Sequence, residues 1–404
     1  MHKGDGGYIK QINRSIIIKE IIEHGTISRA SLSKNTGLNK STVSSQVANL
    51  LKEDLIIETQ PQGEHHTIGR KPIMLSINRN SGYVLGIDLD YNLIQYNISD
   101  LQGWPVQSVK VNIATHSYEY IIQLLAKHIQ RFMDYYSTST YGIVSVMLGV
   151  HGPVNKDESV LFVPEFQWRH KNLKGDLEKN LSIPISIENN NNLSSYAEKV
   201  YQYHKSNNLL AVNLSSGVGA GLLIDGKFYK GYNGNAGEVG HMIIYPDGYP
   251  CQCGNLGCWE LYVSELSFFE QLSMKMNNND ITYEDVQKGI SEQNAIVCNL
   301  MEQFIDNLSI GLVNLIRLCN PETIVLDSQL IKSNRFIIKK IRSKLITAVG
   351  GKCEVVISNF DNNACVMGAC ALAIQHYLKI SNLSLTLPVE TSQHLNTDRQ
   401  IALL

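Results

Sequence analysis

Three of the eight cysteines of this chain lie within eight residues, at Cys251, Cys253 and Cys258. His241 precedes them, at the end of the segment 237–241. Three thiolates and one imidazole make a complete tetrahedral zinc set in which no position is left for water. The sequence therefore predicts a structural Zn²⁺ site that folds a loop with little core of its own. The alternative is that these cysteines are reduced bystanders.

The rest of the composition narrows the class of protein. With 404 residues, 43% of them hydrophobic, the chain has the material for about two to three packed domains. No apolar run reaches the length of about 18 residues that a membrane span needs. Residues 1–7 lack the basic-then-apolar pattern of an export signal. We therefore expect a cytoplasmic protein that does not bind membranes.

Charge is spread unevenly along the chain. The first 80 residues carry 11 Lys and Arg against 7 Asp and Glu, whereas the whole chain carries 35 against 37. A mildly basic head on an acidic body is compatible with a polyanionic partner, although an excess of this size decides little by itself.

The first 78 residues carry the pattern of a winged helix-turn-helix domain. An apolar stripe at helical spacing predicts a first helix that stops at Gly25; its members are Ile9, Ile12, Ile16, Ile17 and Ile21. Ser28 fits the N-cap of a short second helix. A turn that contains Gly37 then leads into a third helix, predicted from about Lys40 to Lys52.

The third helix is predicted to present a short, polar and nearly acid-free face. Its N-terminal residues would enter the major groove of DNA, where hydroxyls, amides and Lys read base edges or bind phosphate. A following polar loop and strand resemble a β wing with two cations for backbone or minor-groove contact. The residues predicted to touch double-stranded DNA are Ser31, Lys40, Ser41, Thr42, Ser44, Ser45, Gln46, Asn49, Arg70 and Lys71. The alternative is an ordinary solvated three-helix surface with a basic turn.

From residue 79 onward, short apolar strands alternate with helical stretches, which is typical of an α/β fold. A meander of strands is predicted over 83–88, 93–98 and 106–111, and buried central strands over 142–150, 209–214 and 323–326. A long helix is predicted over 295–318.

The segment 237–241, together with the cysteine-rich segment 251–260, resembles the signature of the ROK family (repressors, open reading frames and sugar kinases). The resemblance covers about residues 8–377. Within the family, the segments 38–47 and 258–262 look most like the xylose repressors of Gram-positive bacteria.

This resemblance implies a domain organisation. A winged helix-turn-helix over 1–78 precedes a two-lobed, actin-like body of the sugar-kinase, ribonuclease-H type, with a zinc-bound loop. The sugar-binding body covers 79–378, and a polar tail covers 379–404. Its small lobe is expected over about 79–186 plus the C-terminal helix, and its large lobe over about 187–360.

The resemblance also assigns sugar contacts, residue by residue, to Asn189, Asn190, Glu238, His241 and Glu260. Carboxylates and amides can each bind adjacent sugar hydroxyls. His241 would ligate zinc through one ring nitrogen and donate to a hydroxyl from the other, so the metal and sugar sites would be coupled. The alternative for either glutamate is a surface carboxylate.

Two departures from the family pattern separate a regulator from a kinase. Kinases of the family have a catalytic aspartate where this chain has Asn190, and an amide cannot accept a proton near neutral pH. Their first phosphate loop, aspartate-x-glycine-glycine-threonine, here becomes Asp-Leu-Asp-Tyr-Asn over 88–92. A carboxylate and a bulky ring thus replace the glycines that let backbone amides approach phosphates. Although the second glycine loop, 216–221, is kept, we expect no catalytic residues and no enzyme activity.

The combined prediction is a DNA-binding transcriptional repressor of sugar utilisation genes, with D-xylose as the expected neutral inducer. Two heads of a homodimer would bind a pseudo-palindromic operator and leave it when sugar closes the cleft between the lobes. Two alternatives stay open. One is a sugar kinase with an added DNA-binding head, and the other is a regulator of the same family that answers to glucose, an amino sugar or a sugar phosphate.

Overall fold

A computed structural model describes residues 6–60, 72–164, 166–351 and 353–387. The N-terminal head comprises α1 (Gly6–His24), β1 (Ile27–Ser28), α2 (Arg29–Thr36), α3 (Lys40–Lys52), β2 (Ile56–Thr59) and β3 (Met74–Ile77). Its strands form an antiparallel sheet in the order β1-β3-β2. The β2–β3 connection contains residues 61–71, so the predicted wing contacts Arg70 and Lys71 lie outside the described residues.

Single residues set the ends of the head helices. α1 ends before Gly25, whose φ of 67° lies in the left-handed region that favours glycine. The hydroxyl of Ser28 accepts a hydrogen bond from the Ser31 backbone N–H and caps α2. The Asn39 carboxamide oxygen caps α3 in the same way, through the N–H of Thr42. The predicted boundaries of these helices are confirmed.

The apolar stripe predicted for α1 is only partly correct. Ile9 is 51% exposed and Ile12 is 39% exposed, whereas the residues that reach the core lie further along the helix, at Ile17, Ile18, Ile21 and Ile22. The N-terminal half of α1 instead lines a groove of about 500 Å³ with polar side chains, among them Lys10 and Arg14.

The first body sheet has the strand order β10-β7-β4-β5-β6. Its strands are β4 (Tyr83–Leu89), β5 (Leu93–Asp100), β6 (Pro105–Asn112), β7 (Ile143–Val150) and β10 (Ile185–Asn189). β7 runs parallel to β4 and β10, and β5 runs antiparallel to its neighbours. One face packs on α4 (Tyr118–Tyr135) and α5 (Leu173–Glu178). A hairpin of β8 (Val160–Val163) and β9 (Trp168–Lys171) follows β7.

The second body sheet has the order β13-β12-β11-β14-β15. Its strands are β11 (Leu209–Asn213), β12 (Gly219–Ile224), β13 (Lys227–Phe228), β14 (Thr323–Asp327) and β15 (Glu354–Ile357). One face carries most of the remaining helices, namely α7 (Glu260–Val263), α8 (Glu265–Met276), α9 (Tyr283–Ser291), α10 (Ala295–Cys319), α11 (Gln329–Ser333) and α12 (Phe336–Val349). The α/β class and the predicted strands and long helix are confirmed.

By length and composition alone, α10 is apolar enough to cross a membrane. Within the body, however, its buried side chains pack with those of α8, α12 and the second sheet in one hydrophobic cluster. α10 is therefore a core helix of this fold.

Two helices, α6 (Asn190–Tyr201) and α13 (Ala364–Leu378), cross between the sheets. α6 packs on the second sheet and α13 on the first. A Cβ at Gly368 of α13 would collide with the carbonyl oxygen of Leu193 in α6, so only glycine permits this approach. The chain after α13 returns to the body, where Leu383 and Leu385 are buried. Thus the first residues of the predicted polar tail belong to the core, and residues 388–404 lie outside the described residues.

Glu198 of α6 is a buried carboxyl that is 2% exposed. Among the described residues, its carboxylate oxygens make no hydrogen bond of good geometry, and the neighbouring Ser358 hydroxyl only partly offsets the loss of hydration. Loss of hydration raises the pKa of Glu198 from 4.5 to about 8, and burial raises the pKa of Asp327 to about 6. Because the folded protein retains a proton that the unfolded chain releases, the free energy of unfolding should fall as pH rises from about 4.5 to about 8.

We expect Glu198→Gln to remove part of this pH dependence. The neutral amide needs no proton, so the variant should resemble the wild type at pH 5 and be more stable at pH 8, with a divergence of about 1.4 kcal/mol per pH unit. Urea denaturation at several pH values measures it, with the exposed Glu270→Gln as a control. Equal unfolding free energies of variant and wild type across this range would contradict the prediction.

Candidate functional site

His241, Cys251, Cys253 and Cys258 converge, and their ligand atoms all lie within 4.8 Å of one another. Cys253 Sγ lies 3.6 Å from Cys258 Sγ, and Cys251 Sγ lies 3.6 Å from His241 Nδ1. Metal–sulfur bonds of about 2.3 Å at tetrahedral angles would place two sulfurs about 3.8 Å apart. The predicted set is therefore assembled and could hold a metal ion.

The segment 241–258, which carries the four ligand residues, is called the metal-ligand loop below. Glycine and tryptophan fix its shape and position. Gly257 has a φ of 72°, and a Cβ there would collide with the carbonyl oxygen of Tyr245. Trp259, directly after the last cysteine, packs its ring on Gly311 of α10 and donates from its indole N–H to the Asn307 carbonyl at 2.9 Å. The loop is thus anchored on the long core helix.

The thiols differ in acidity. Burial raises the pKa of Cys251 to about 12 and also raises the pKa of Cys258. A hydrogen bond from the Asn255 backbone N–H lowers the pKa of Cys253. Because a metal binds thiolates, binding at this loop releases protons and should strengthen as pH rises.

Asn189 and Asn190 lie where β10 passes into α6. The Asn189 carboxamide oxygen caps α6 by accepting from the N–H groups of Asn191 and Asn192. Its amide group donates to the carbonyl of Gly152 at 3.0 Å, in the segment directly after β7. Asn189 therefore joins the start of α6 to that segment. Asn190 beside it is half-buried.

In the sequence, Glu238 and His241 precede the three cysteines of the metal-ligand loop, and Glu260 follows them. Glu238 is exposed and precedes a 3-10 turn, Val239–His241. Glu260 begins α7, with Oε1 3.3 Å from His241 Nδ1 and 3.2 Å from Cys251 Sγ. His241 and Glu260 are therefore in direct contact, and Nδ1 is the ring nitrogen that faces the cysteines.

The second glycine loop, 216–221, packs against the start of α6 on one side and against Gly237 and Glu260 on the other. A Cβ at Gly219 would collide with the side chain of Asn191, and one at Gly237 would collide with the carbonyl of Ala220. A Cβ at Gly217 would lie 3.4 Å from Glu260 Oε2. A Cβ at Gly217 would make only an ordinary contact, but Gly219 and Gly237 are needed for close packing whether or not a nucleotide binds. Their presence therefore does not indicate a kinase.

The altered first phosphate loop, between β4 and β5, carries carboxylates. Asp88 Oδ1 lies 2.9 Å from His151 Nε2, and Asp90 Oδ1 lies 3.9 Å from His151 Nδ1. Tyr91 stacks on His116 with ring centroids 4.2 Å apart. Asp88 matches the aspartate of the kinase pattern, whereas Asp90 replaces a glycine and adds a carboxylate that opposes a triphosphate through like-charge repulsion.

Lys230 was not anticipated from sequence, yet it forms a largely buried ion pair. Its Nζ lies 2.7 Å from Glu188 Oε2, and the other oxygen of Glu188 accepts from the Asn189 N–H and the Asn192 side chain. A buried carboxylate such as Glu188 is stable only with a cationic partner, but the sequence does not show that the distant Lys230 is that partner.

On α3, the exposed face contains Lys40, Ser41, Ser44 and Ser45, with Thr42 and Asn49 half-buried. Ser31 of α2 is also exposed. The prediction that Gln46 faces outward is wrong, because Gln46 is 5% exposed and donates to the Lys10 carbonyl at 3.2 Å. Position 46 lies three residues after Val43 and four before Leu50, so it shares their inward face.

Comparisons with known proteins agree with this architecture. Residues 84–376 match the ROK family, and residues 12–57 match the winged helix-turn-helix DNA-binding family. A xylose repressor of Bacillus spizizenii is 35% identical over 385 residues, which cover 94% of this chain and 99% of the repressor.

Two solved structures share the fold. A ROK family transcriptional regulator, a homolog of the E. coli MLC protein, has a TM-score of 0.79 at 25% identity and covers 92% of this chain and 97% of its own. A ROK family glucokinase from Streptomyces griseus, in complex with glucose and AMPPNP, has a TM-score of 0.62 at 23% identity, over 73% of this chain and 100% of its own. The predicted sugar-kinase-like body behind a helix-turn-helix is confirmed. The chain therefore belongs to the ROK family, with a winged helix-turn-helix domain at its N-terminus.

Proposed function

We propose that this protein is a cytoplasmic transcriptional repressor that binds double-stranded operator DNA through its head and leaves it when D-xylose binds the body. One observation carries the proposal. The chain that bears a helix-turn-helix has the His241–Glu260 contact beside the metal-ligand loop, while the Asp90 carboxylate stands in its first phosphate loop, 3.9 Å from His151. The 35% identity to a protein named xylose repressor supports xylose as the sugar.

The sugar site consists of Asn189, Asn190, Glu238, His241 and Glu260. Asn189 uses its carboxamide oxygen to cap α6 and one amide hydrogen on the Gly152 carbonyl, so its other amide hydrogen is the group it offers to the sugar. The bound metal is Zn²⁺ in a structural site, because three thiolates and one imidazole suit zinc and leave no open position. Nδ1 of His241 faces the cysteines, which leaves Nε2 for a sugar hydroxyl.

The DNA interface consists of Ser31, the exposed α3 residues Lys40, Ser41, Ser44 and Ser45, and the half-buried Thr42 and Asn49 beside them. Arg70 and Lys71, which lie outside the described residues, are proposed to contact the DNA backbone or the minor groove. Two heads of a homodimer bind a pseudo-palindromic operator, in which the spacing of half-sites matches the dimer.

Contacts between head and body supply the coupling. The Gln102 side chain donates to the Ile22 carbonyl at 2.8 Å, and Thr140 donates to the Asp54 carboxylate at 2.5 Å. A change in lobe arrangement therefore moves the heads. A tenfold preference of sugar for the state that does not bind DNA corresponds to about 1.4 kcal/mol of coupling.

Operator release tests the proposal. Fluorescence anisotropy of labelled operator DNA with the full chain should fall as D-xylose is added, and ATP with D-xylose should yield no ADP. Failure to bind the operator, or release by a phosphorylated or amino sugar but not by xylose, would overturn the proposal. Xylose-dependent ADP formation would favour the kinase alternative.

We expect Glu238→Ala to bind the operator as tightly as the wild type and to stay bound when xylose is added. Glu238 is exposed, so its replacement leaves the hydrophobic core intact and removes the carboxylate proposed to bind sugar hydroxyls. Anisotropy with and without xylose measures this, and Glu270→Ala, another exposed glutamate, is the control. Normal release of Glu238→Ala would refute the role assigned to Glu238.

A further inference from the structure

A cavity of about 380 Å³ opens beside the crossing of α6 and α13. It is bounded by both sheets, because Ile187 of β10 and Phe228 of β13 line it. None of the five proposed sugar-contact residues lines it. It adjoins the proposed sugar site through Glu188, which lines the cavity and accepts from the Asn189 N–H.

Lysines from separate segments meet in this cavity, namely Lys156, Lys199, Lys227 and Lys230. Its carboxylates are already bound by ammonium groups, since Glu158 pairs with Lys174 at 2.5 Å and Glu188 with Lys230 at 2.7 Å.

The remaining ammonium groups have no carboxylate partner. Lys199 donates to two neutral oxygens, the His204 carbonyl at 2.5 Å and the Asn207 side chain at 3.1 Å. Across the described ranges, Lys156 and Lys227 show no ion-pair or hydrogen-bond partner, and both are exposed. The cavity thus carries excess positive charge without a counter-anion.

Apolar and polar side chains both line the cavity. Met147, Leu223 and Leu372 are among the apolar ones. Gln375 has its oxygen bound by the Tyr196 hydroxyl, which leaves its amide hydrogens as donors, and Asn382 lies nearby. An anion with a small organic body would satisfy both kinds of side chain.

We propose that this cavity binds a small phosphomonoester. The phosphate, with a charge of about −1.5 to −2 near neutral pH, lies between Lys156, Lys227 and Lys230 in charge-assisted hydrogen bonds. The organic group of the ester contacts the apolar side chains of the lining, such as Met147, Leu223 and Leu372. Such a ligand bridges the loop after β7 of the first sheet and the β12–β13 hairpin of the second.

Isothermal titration of the full chain with phenyl phosphate, inorganic phosphate and phenol tests this proposal. Phenyl phosphate should bind more tightly than inorganic phosphate, phenol should not bind, and affinity should fall with added salt. The double variant Lys156→Ala/Lys227→Ala should raise the Kd of phenyl phosphate at least tenfold. Lys339→Ala, an exposed lysine on α12, should leave it unchanged.

The proposal is overturned by the absence of phenyl phosphate binding, by equal binding of inorganic phosphate, or by unchanged affinity in the double variant. Displacement of phenyl phosphate by saturating D-xylose would also overturn it, because the ester would then occupy the sugar site. Both replaced lysines are exposed, so the variant is expected to fold, and circular dichroism checks this.

Discussion

Ser44→Glu is expected to lower operator affinity at least 100-fold, or by about 2.7 kcal/mol, without unfolding the protein. Ser44 is exposed on the face of α3 proposed to enter the major groove. The substitution removes a hydroxyl that can bind a base edge or phosphate and adds a carboxylate that phosphates repel. Because the side chain points to solvent, the head should keep its stability.

The control for Ser44→Glu is Ser343→Glu, the same change at an exposed position of α12. Anisotropy of labelled operator at one fixed salt concentration measures both variants, and thermal unfolding checks their folds. Equal losses in the two variants would indicate a nonspecific effect of charge. Unchanged affinity in Ser44→Glu would place the DNA contacts elsewhere on the head.

Cys258→Ser is expected to lose the bound metal and to abolish the response to sugar. Serine cannot supply a thiolate, so only His241 and two cysteines are left as ligands. Metal sites of this type contribute about 10–16 kcal/mol to the folding of small zinc-finger peptides, so the loop should unfold. Since Trp259 anchors that loop on α10, thermal stability of the body should fall as well.

Metal content by mass spectrometry and melting temperature measure the effect of Cys258→Ser. Cys298→Ser is the matched control, because Cys298 lies on α10 outside the metal-ligand cluster. It should keep one metal ion per chain. Full metal content in Cys258→Ser would remove Cys258 from the ligand set.

Features encoded by neighbouring residues were predictable from the sequence. Ser28 and Gly25 specify helix ends through their own hydrogen bonds and φ angles, and the metal ligands lie within a short segment. Gln46 shows the limit of this approach. Its polar side chain suggests a surface position, but its position in α3 places it on the inward face of the helix. There its amide group donates to the Lys10 carbonyl of α1.

Features that depend on distant segments were not predictable. Lys156, Lys199 and Lys227 are unremarkable in the sequence, and only the crossing of α6 and α13 brings them to one cavity. The second glycine loop is a related case. Its spacing resembles a phosphate loop, while in the fold Gly219 makes room for Asn191. One pattern serves both purposes, so the sequence alone could not separate them.

The close contact between α13 and α6 at Gly368 lies at different distances from the ends of the two helices. From Gly368 to Leu378 at the end of α13 is about 15 Å, whereas from Leu193 to Asn190 at the start of α6 is about 4.5 Å. A rotation of about 10° between the helices would shift Asn190 by about 0.8 Å and Leu378 by about 2.6 Å. Leu378 lines the groove formed with α1 and α3. If sugar binds at Asn190 as proposed, a rotation of this size would convert a sub-ångström shift there into a displacement at the head about as long as a hydrogen bond.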